Sequence, residues 1–240
     1  MPPAGVGGGP VGRTTAIAGL IALTVVVVVA VALIASRPSS PGGASASSGG
    51  TLSAAPATGS GGAKAGCPTS QPAALAAGQK RLVTIETAKG KIGVTIEADL
   101  SPIAAGNFVA LAGCAYYDGV VFHRVATLQD GTPFVIQGGD PTGSGSGGPG
   151  YEIQDEPVTA TYKRGTVAMA RTAAPNSVGS QFFIVLDDKD RSVLQSANTY
   201  QIIGSVTSGM ETVDAIYAAA GGQELPSNPV VMDKVTVSTP

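Results

Sequence analysis

Two short apolar segments, each with one large polar side chain, place the tightest limits on the fold. They read FHRV from residue 122 and FVIQGGD from residue 134, with a short polar loop between them. Side chains alternate between the two faces of a strand, so the spacing predicts that Phe122 shares a face with Arg124 and that Val135 shares one with Gln137. An arginine and a glutamine among bulky apolar neighbours are costly to desolvate unless a ligand or another part of the protein binds them.

The rest of the chain from residue 81 onward alternates in the same way. Residues 82–87 and 91–96 flank Lys89 and Gly90 and predict a hairpin, and further strands are predicted over 166–170, 182–186, 200–206 and 230–237. One helix is predicted to begin at Ser101 as N-cap with Pro102 first and to end at Gly113, and a second to span 210–219. Many strands with only two helices favour a closed barrel over residues 81–240.

The amino-terminal part has a different composition. Residues 1–14 form a short Gly/Pro tail, and residues 15–36 are almost entirely apolar. As a helix this run would be about 30 Å long, enough to cross a bilayer, and it predicts a transmembrane anchor. A cleaved signal peptide is the competing interpretation, since Ala30-Val31-Ala32 fits a small-x-small site. A buried core helix is disfavoured because nothing polar marks a solvent face.

Residues 37–80 are rich in Gly, Ser, Ala and Pro and predict a flexible linker. Arg13 precedes the apolar run and Arg37 follows it, so charge barely decides the orientation. The short tail favours a single-pass cell-membrane protein with the tail inside and the domain outside the cytoplasm.

Composition excludes several other classes. A net charge of −2 without a basic stripe gives no reason to expect nucleic acid as a partner. One histidine and two cysteines far apart in sequence argue against a structural zinc site, and no metal or cofactor is expected. Residues 143–148 match G-x-G-x-x-G, but Pro149 and Gly150 cannot open the helix that a dinucleotide site needs. No G-x-S-x-G elbow supports a hydrolase.

Four blocks in order resemble the cyclophilins, the peptidyl-prolyl cis-trans isomerases. They are Phe122-His123-Arg124, Phe134 with Gln137-Gly138-Gly139-Asp140, Gly165 to Ala170, and Asn176 to Phe183. The resemblance covers residues 82 to 240 and implies an eight-stranded antiparallel β-barrel with a helix over each end. It also implies rotation about X–Pro bonds in proline-containing polypeptides, here as a bacterial, membrane-anchored enzyme that assists the folding of extracytoplasmic proteins.

The resemblance assigns a role to each candidate site residue. Arg124 would be the catalytic cation and Gln137 would orient it. The remaining residues would bind substrate: an apolar pocket for the proline ring with Tyr200 as its far wall, and a groove for the residues before proline. The pocket residues are Phe134, Val135, Phe183 and Leu194, and the groove residues are Gly145, Ala170, Arg171 and Gln181.

Three positions depart from the best-known eukaryotic pattern. Val135, Arg171 and Tyr200 stand where methionine, asparagine and histidine are usual, and the chain has no tryptophan. The resemblance therefore implies weak cyclosporin binding but retained activity. A binding module that holds proline segments without turnover, or a surface scaffold, is the alternative.

Three further expectations concern the two cysteines, the oligomeric state and an alternative role for Arg124. Cys67 precedes the first strand and Cys114 follows the first helix, so outside the reducing cytosol they could pair or stay as free thiols. The chain is expected to act as a monomer. A strand arginine such as Arg124 can also serve only to form a salt bridge or to cover apolar surface with its stem.

Overall fold

Eight strands form one antiparallel sheet in the part of the chain that the structure describes, residue 1 and residues 64–240 of a computed structural model. The order across the sheet is β3-β4-β6-β5-β7-β2-β1-β8. The strands are β1 Lys80–Thr87, β2 Gly90–Glu97, β3 Arg124–Thr127, β4 Pro133–Gly138, β5 Thr166–Met169, β6 Phe182–Val185, β7 Ile202–Ser208 and β8 Lys234–Ser238. The predicted hairpin is confirmed as the pair of β1 and β2.

The sheet is not closed, so the prediction of a closed barrel is wrong. β3 and β8 stand at its two ends and do not pair with each other. The residues that precede these two strands contact each other instead. Gly119 N donates to Met232 O, Phe122 N donates to Val230 O, and Val121 forms an isolated bridge with Val231. At Asp233 the backbone N–H bonds Glu86 O in β1 instead. The seam, by which we mean the place where the β3 end and the β8 end of the sheet meet, therefore has a few backbone hydrogen bonds but no ladder between these strands.

Within residues 64–240 three α-helices pack around the sheet, where the sequence predicted two. α1 spans Pro102–Gly113, α2 spans Arg191–Ala197 and α3 spans Met210–Ala219, so the two predicted helices are confirmed. α2 was missed because it is only seven residues long. A 3₁₀ turn, Asp188–Asp190, leads into it, and the reciprocal bonds of Asp187 and Asp190 form a capping box at that turn.

The amino terminus of α1 is capped by a distant residue. Ser101 occupies the N-cap position, but its side chain makes no capping hydrogen bond. The carboxylate of Glu156 accepts from Ile103 N and Ala104 N instead, both at 2.9 Å. A carboxylate bonding free amides at the positive end of the helix dipole is a favourable cap. It comes from a loop that local sequence patterns do not connect to α1.

The strands separate two apolar clusters. The interior cluster includes Ile136 and Ile184, and the second, which we call the site-face cluster, includes Val135 and Phe183. This alternation confirms the period-two pattern in β4 and β6. Phe122 departs from the pattern: it lies before the first residue of β3 and packs in the interior cluster against Phe182, with ring centroids 6.2 Å apart. The prediction that it shares a face with Arg124 is therefore wrong.

Residues before β1 pack against the domain. Leu75 N donates to Pro102 O at 2.9 Å, and a disulfide joins Cys67 to Cys114 at the end of α1. Lys64 Nζ bonds Asp118 O at 2.7 Å. The end of the predicted linker is thus part of the folded unit, and the boundary predicted at residue 81 falls later than the first contacts. The predicted tail, anchor and most of the linker lie outside the described residues. Within residues 64–240, no helix is long and apolar enough to span a bilayer.

Candidate active site

Arg124 opens β3 at the edge of the sheet, with its side chain one-third exposed. Its cross-strand partner in β4 is Gln137, so the register brings the two predicted catalytic residues side by side. Arg124 Nη1 donates to Gln137 Oε1 at 3.3 Å. Because a guanidinium can only donate, this contact assigns the oxygen of the Gln137 amide to Arg124 and turns its nitrogen away.

The Gln137 amide nitrogen continues the chain of contacts. It donates to Gln181 Oε1 at 2.9 Å, and Gln181 Nε2 donates to the carbonyls of Gly145 and Gly147, both at 2.9 Å. We call Arg124, Gln137, Gln181 and these two carbonyls the relay. It connects the cation on β3 to the glycine-rich loop, residues 142–150.

Asp140 holds that loop in place. Its buried carboxylate accepts from the backbone N–H groups of Thr142, Gly145 and Gly147 and from the Thr142 hydroxyl. Gly145 has φ +85°, and a Cβ at Gly147 would collide with the Asp140 carboxylate, so both positions require glycine. Burial alone would raise the pKa of Asp140, but these hydrogen bonds outweigh it and lower that pKa.

The predicted proline pocket forms one apolar surface beside Arg124. Val135, Phe183 and Leu194 are buried in the site-face cluster, and Phe134, Ala170 and Tyr200 pack against it partly exposed. The Phe183 and Tyr200 rings meet edge to face with centroids 5.4 Å apart. The structure thus brings together all five predicted pocket residues and Ala170 of the predicted groove. Every one of them comes from a different segment except the neighbours Phe134 and Val135.

Arg171 follows Ala170 but directs its charge elsewhere. Its guanidinium pairs with Asp155 at 3.0 Å and donates to Ala174 O at 2.6 Å and to Thr172 O at 3.2 Å. These bonds tie the loop after β5 to Asp155. Among the predicted site residues, Arg171 therefore serves to order a loop beside the groove, and its donors are already occupied.

Two acidic residues near the site were not predicted. Glu224 Oε1 accepts from both Nε and Nη2 of Arg124, each at 2.8 Å. It lies 100 residues from Arg124 in an exposed loop, and no sequence pattern links the two. The second is Asp190, buried just before α2, the helix that carries Leu194. The sequence did contain a pattern that could have indicated a structural role for Asp190, since Asp187 and Asp190 have the spacing of a capping box.

The charges of the site follow from burial. Burial raises the pKa of Asp190 to about 7; the bond from Asp187 N opposes this, and the nearby carboxylates of Asp187 and Asp130 add to it. Burial also lowers the pKa of His123, the residue before Arg124. The imidazole is therefore neutral at pH 7 and places no second cation beside Arg124. Within residues 64–240, no group of three His, Cys, Asp or Glu side chains could hold a metal ion.

A separate cavity of about 330 Å³ lies on β2, β5 and β7. Leu100 and Ile202 line it, together with the charged side chains Glu97 and Lys163. None of the predicted site residues borders this cavity, and Glu97 is already paired with Lys80 at 2.8 Å. The surface around Arg124 remains the candidate active site.

Comparisons with known proteins agree with this geometry. A family profile described as "Cyclophilin type peptidyl-prolyl cis-trans isomerase/CLD" matches residues 82–237. Peptidyl-prolyl cis-trans isomerase A of Mycobacterium tuberculosis is 37% identical over 175 residues, which cover 65% of this chain and 91% of that protein. A crystal structure of a cyclophilin type peptidyl-prolyl cis-trans isomerase of Cryptosporidium parvum has a TM-score of 0.59 at 30% identity, covering 67% of this chain and 99% of that one. The same protein in the presence of the dipeptide Ala-Pro gives a TM-score of 0.58 at 30% identity, with 66% and 99% covered.

Proposed function

The chain belongs to the cyclophilin-type peptidyl-prolyl cis-trans isomerases, and we propose that Arg124 carries its rotation of X–Pro bonds. An X–Pro bond rotates slowly because the nitrogen lone pair is delocalised into the carbonyl, which gives a barrier of about 18–20 kcal/mol. In the twisted transition state the lone pair returns to the proline nitrogen, which then accepts a hydrogen bond. A fixed cation at that nitrogen stabilises the twisted state more than either planar state, which is what catalysis requires.

Each part of the site has a task in this proposal. The pocket formed by Phe134, Val135, Phe183, Leu194 and Tyr200 holds the proline ring, since it offers an apolar surface with aromatic walls. Arg124 donates to the proline nitrogen from the pocket's edge. Gln137 fixes the direction of the guanidinium, and Gly145, Ala170 and Gln181 border the groove for the residues before proline. The mechanism needs no covalent step, base or metal.

The relay is the observation that supports this assignment most directly. It holds one donor of Arg124 in a set direction through Gln137 and anchors Gln137 through Gln181 to the glycine-rich loop. Such preorganisation would serve no purpose in an arginine that only covered apolar surface. A protease-coupled assay on an X–Pro peptide tests the proposal. Tight binding of the peptide without acceleration would instead support a proline-binding module.

We further propose that the enzyme is bacterial, anchored through residues 15–36, and acts as a monomer on polypeptides folding outside the cytoplasm. The disulfide between Cys67 and Cys114 supports a location outside the reducing cytosol, where such bonds persist. Protease treatment of intact cells, followed by detection of both termini in the membrane fraction, tests this arrangement. Digestion of the domain only after lysis would contradict it.

A further inference from the structure

The guanidinium of Arg124 lies between two acceptors, and only one of them belongs to the relay. Gln137 accepts from Nη1, whereas Glu224 Oε1 accepts from Nε and Nη2, both at 2.8 Å. Gln181 and the glycine-rich loop lie beyond Gln137. Glu224 therefore marks the end of the site opposite the groove that these residues border.

The backbone fixes where this carboxylate lies. Val125 N in β3 donates to Glu224 O at 2.8 Å, and Gln223 N donates to Ala220 O at 3.0 Å. The Tyr217 hydroxyl on α3 bonds the Thr127 hydroxyl at 2.9 Å, which ties the helix before the loop to the same strand. The Glu224 side chain itself is 61% exposed, against 33% for Arg124. It is held in place and still open to a bound polypeptide.

The carboxylate is within reach of residues next to a bound proline. We assume that Arg124 donates to the proline nitrogen. The distance from that nitrogen to Glu224 Oε1 is then at most roughly 8 Å, the sum of two hydrogen-bond lengths and the width of a guanidinium. An extended chain advances about 3.3–3.6 Å per residue, so the next residue's side chain can meet the carboxylate. The groove bordered by Gly145, Ala170 and Gln181 takes the residues before proline, which leaves the Glu224 end to those that follow.

We propose that Glu224 is a specificity-determining residue that selects the residue after proline by its charge. The inference rests on the proposed function. The carboxylate attracts a lysine or arginine at that position and repels an aspartate or glutamate. It also balances the charge of Arg124, which alone would attract acidic residues to the same place. Substrates of the form X–Pro–Lys are therefore favoured over X–Pro–Glu.

Three peptides that differ only after proline test this inference: Ala-Pro-Lys, Ala-Pro-Gln and Ala-Pro-Glu in a common flanking sequence. Binding by calorimetry and kcat/KM by NMR exchange are measured on the full chain in detergent. The variants are Glu224→Gln and, as a matched control, Glu211→Gln, which removes an equal charge from an exposed position in the first turn of α3. The wild type should prefer the Lys peptide over the Glu peptide about two- to fivefold, the range of an exposed ion pair.

Glu224→Gln should lower this ratio to about one or below, while Glu211→Gln keeps it. Added salt at about 0.5 M should weaken the wild-type preference, since exposed charges are screened. An unchanged ratio in Glu224→Gln overturns the inference. So does an equal loss on all three peptides with a lower Tm, which would mean a structural role. Charge-selective binding without turnover would support selection by Glu224 and contradict the proposed catalytic role of Arg124.

Discussion

Gln137 Nε2 donates to the side-chain oxygen Oε1 of Gln181, 2.9 Å away, and the direction of this bond follows from Arg124. Since the guanidinium can only donate, it takes the Gln137 oxygen and leaves the nitrogen for Gln181. Gln181 in turn has only its nitrogen left for the carbonyls of Gly145 and Gly147. Each amide thus has one orientation, and the catalytic cation is connected to a loop three contacts away.

The first prediction concerns the link in the middle of the relay. Gln181→Ala should lower kcat/KM roughly tenfold, because Gln137 loses the acceptor that fixes its amide and the guanidinium of Arg124 is then no longer held in one orientation. The Tm should change little, since Gln181 is partly exposed. The NMR exchange assay measures the rate, with Gln129→Ala, an exposed loop glutamine, as control. Equal rates in the two variants would show that the relay does not position Arg124.

The second prediction concerns the glycine-rich loop. Asp140→Asn removes a carboxylate oxygen and places an amide donor among the N–H groups of Thr142, Gly145 and Gly147. We expect a loss of about 2–3 kcal/mol in the free energy of unfolding at pH 7, measured by urea denaturation.

The pH dependence has a definite sign. The pKa of Asp140 is lowered in the folded protein, so its stabilising effect is present above the ordinary value of 3.8 and is lost as pH falls through the folded-state pKa. The difference between wild type and Asp140→Asn should therefore shrink in acid. A constant difference from pH 7 down to pH 3 would contradict the role of the charge.

The sequence predicted those parts of the fold and site that depend on local pattern. The alternation of side chains along a strand correctly placed Val135 and Gln137 on the same face of β4. Pro102 and Gly113 correctly marked the first and last residues of α1. Contacts that join distant segments were missed, as with Glu156 on α1 and Glu224 on Arg124, because neither carboxylate has a neighbouring pattern that indicates its partner. The open seam between β3 and β8 was missed for the same reason. Strand count alone says nothing about whether the last ladder forms.

The third prediction concerns Asp190. Its folded-state pKa of about 7 exceeds the ordinary 3.8, so the folded protein binds more protons between these values and its stability falls as pH rises through that range. Asp190→Asn cannot ionise and should raise the Tm by a few degrees at pH 8 and by little at pH 4. Thermal unfolding at both pH values measures this, with Glu211→Gln as an equal change of charge. A gain that is the same at both pH values would contradict the account.

The fourth prediction concerns the disulfide, which closes a loop of 47 residues between Cys67 and Cys114. Cys67→Ser with Cys114→Ser should cost about 2–4 kcal/mol, because the unfolded chain regains the entropy of the open loop. Urea denaturation with and without reductant measures this loss. Reductant should lower the stability of the wild type to that of the double variant and leave the variant unchanged. Equal masses after alkylation with and without reductant would show that the bond is absent.

Turnover by Arg124→Ala tests the central claim most directly. The variant deletes a donor used chiefly in the twisted state, so kcat should fall about a hundred- to a thousandfold while peptide affinity changes much less. Arg124→Lys should recover little, because a flexible point charge lacks the rigid fork. The free energy of unfolding should change by under about 1 kcal/mol, since Glu224, the ion-pair partner of Arg124, is mostly exposed to solvent. Near-wild-type turnover in Arg124→Ala, with the fold intact, would mean that another group stabilises the twisted bond and would contradict the account.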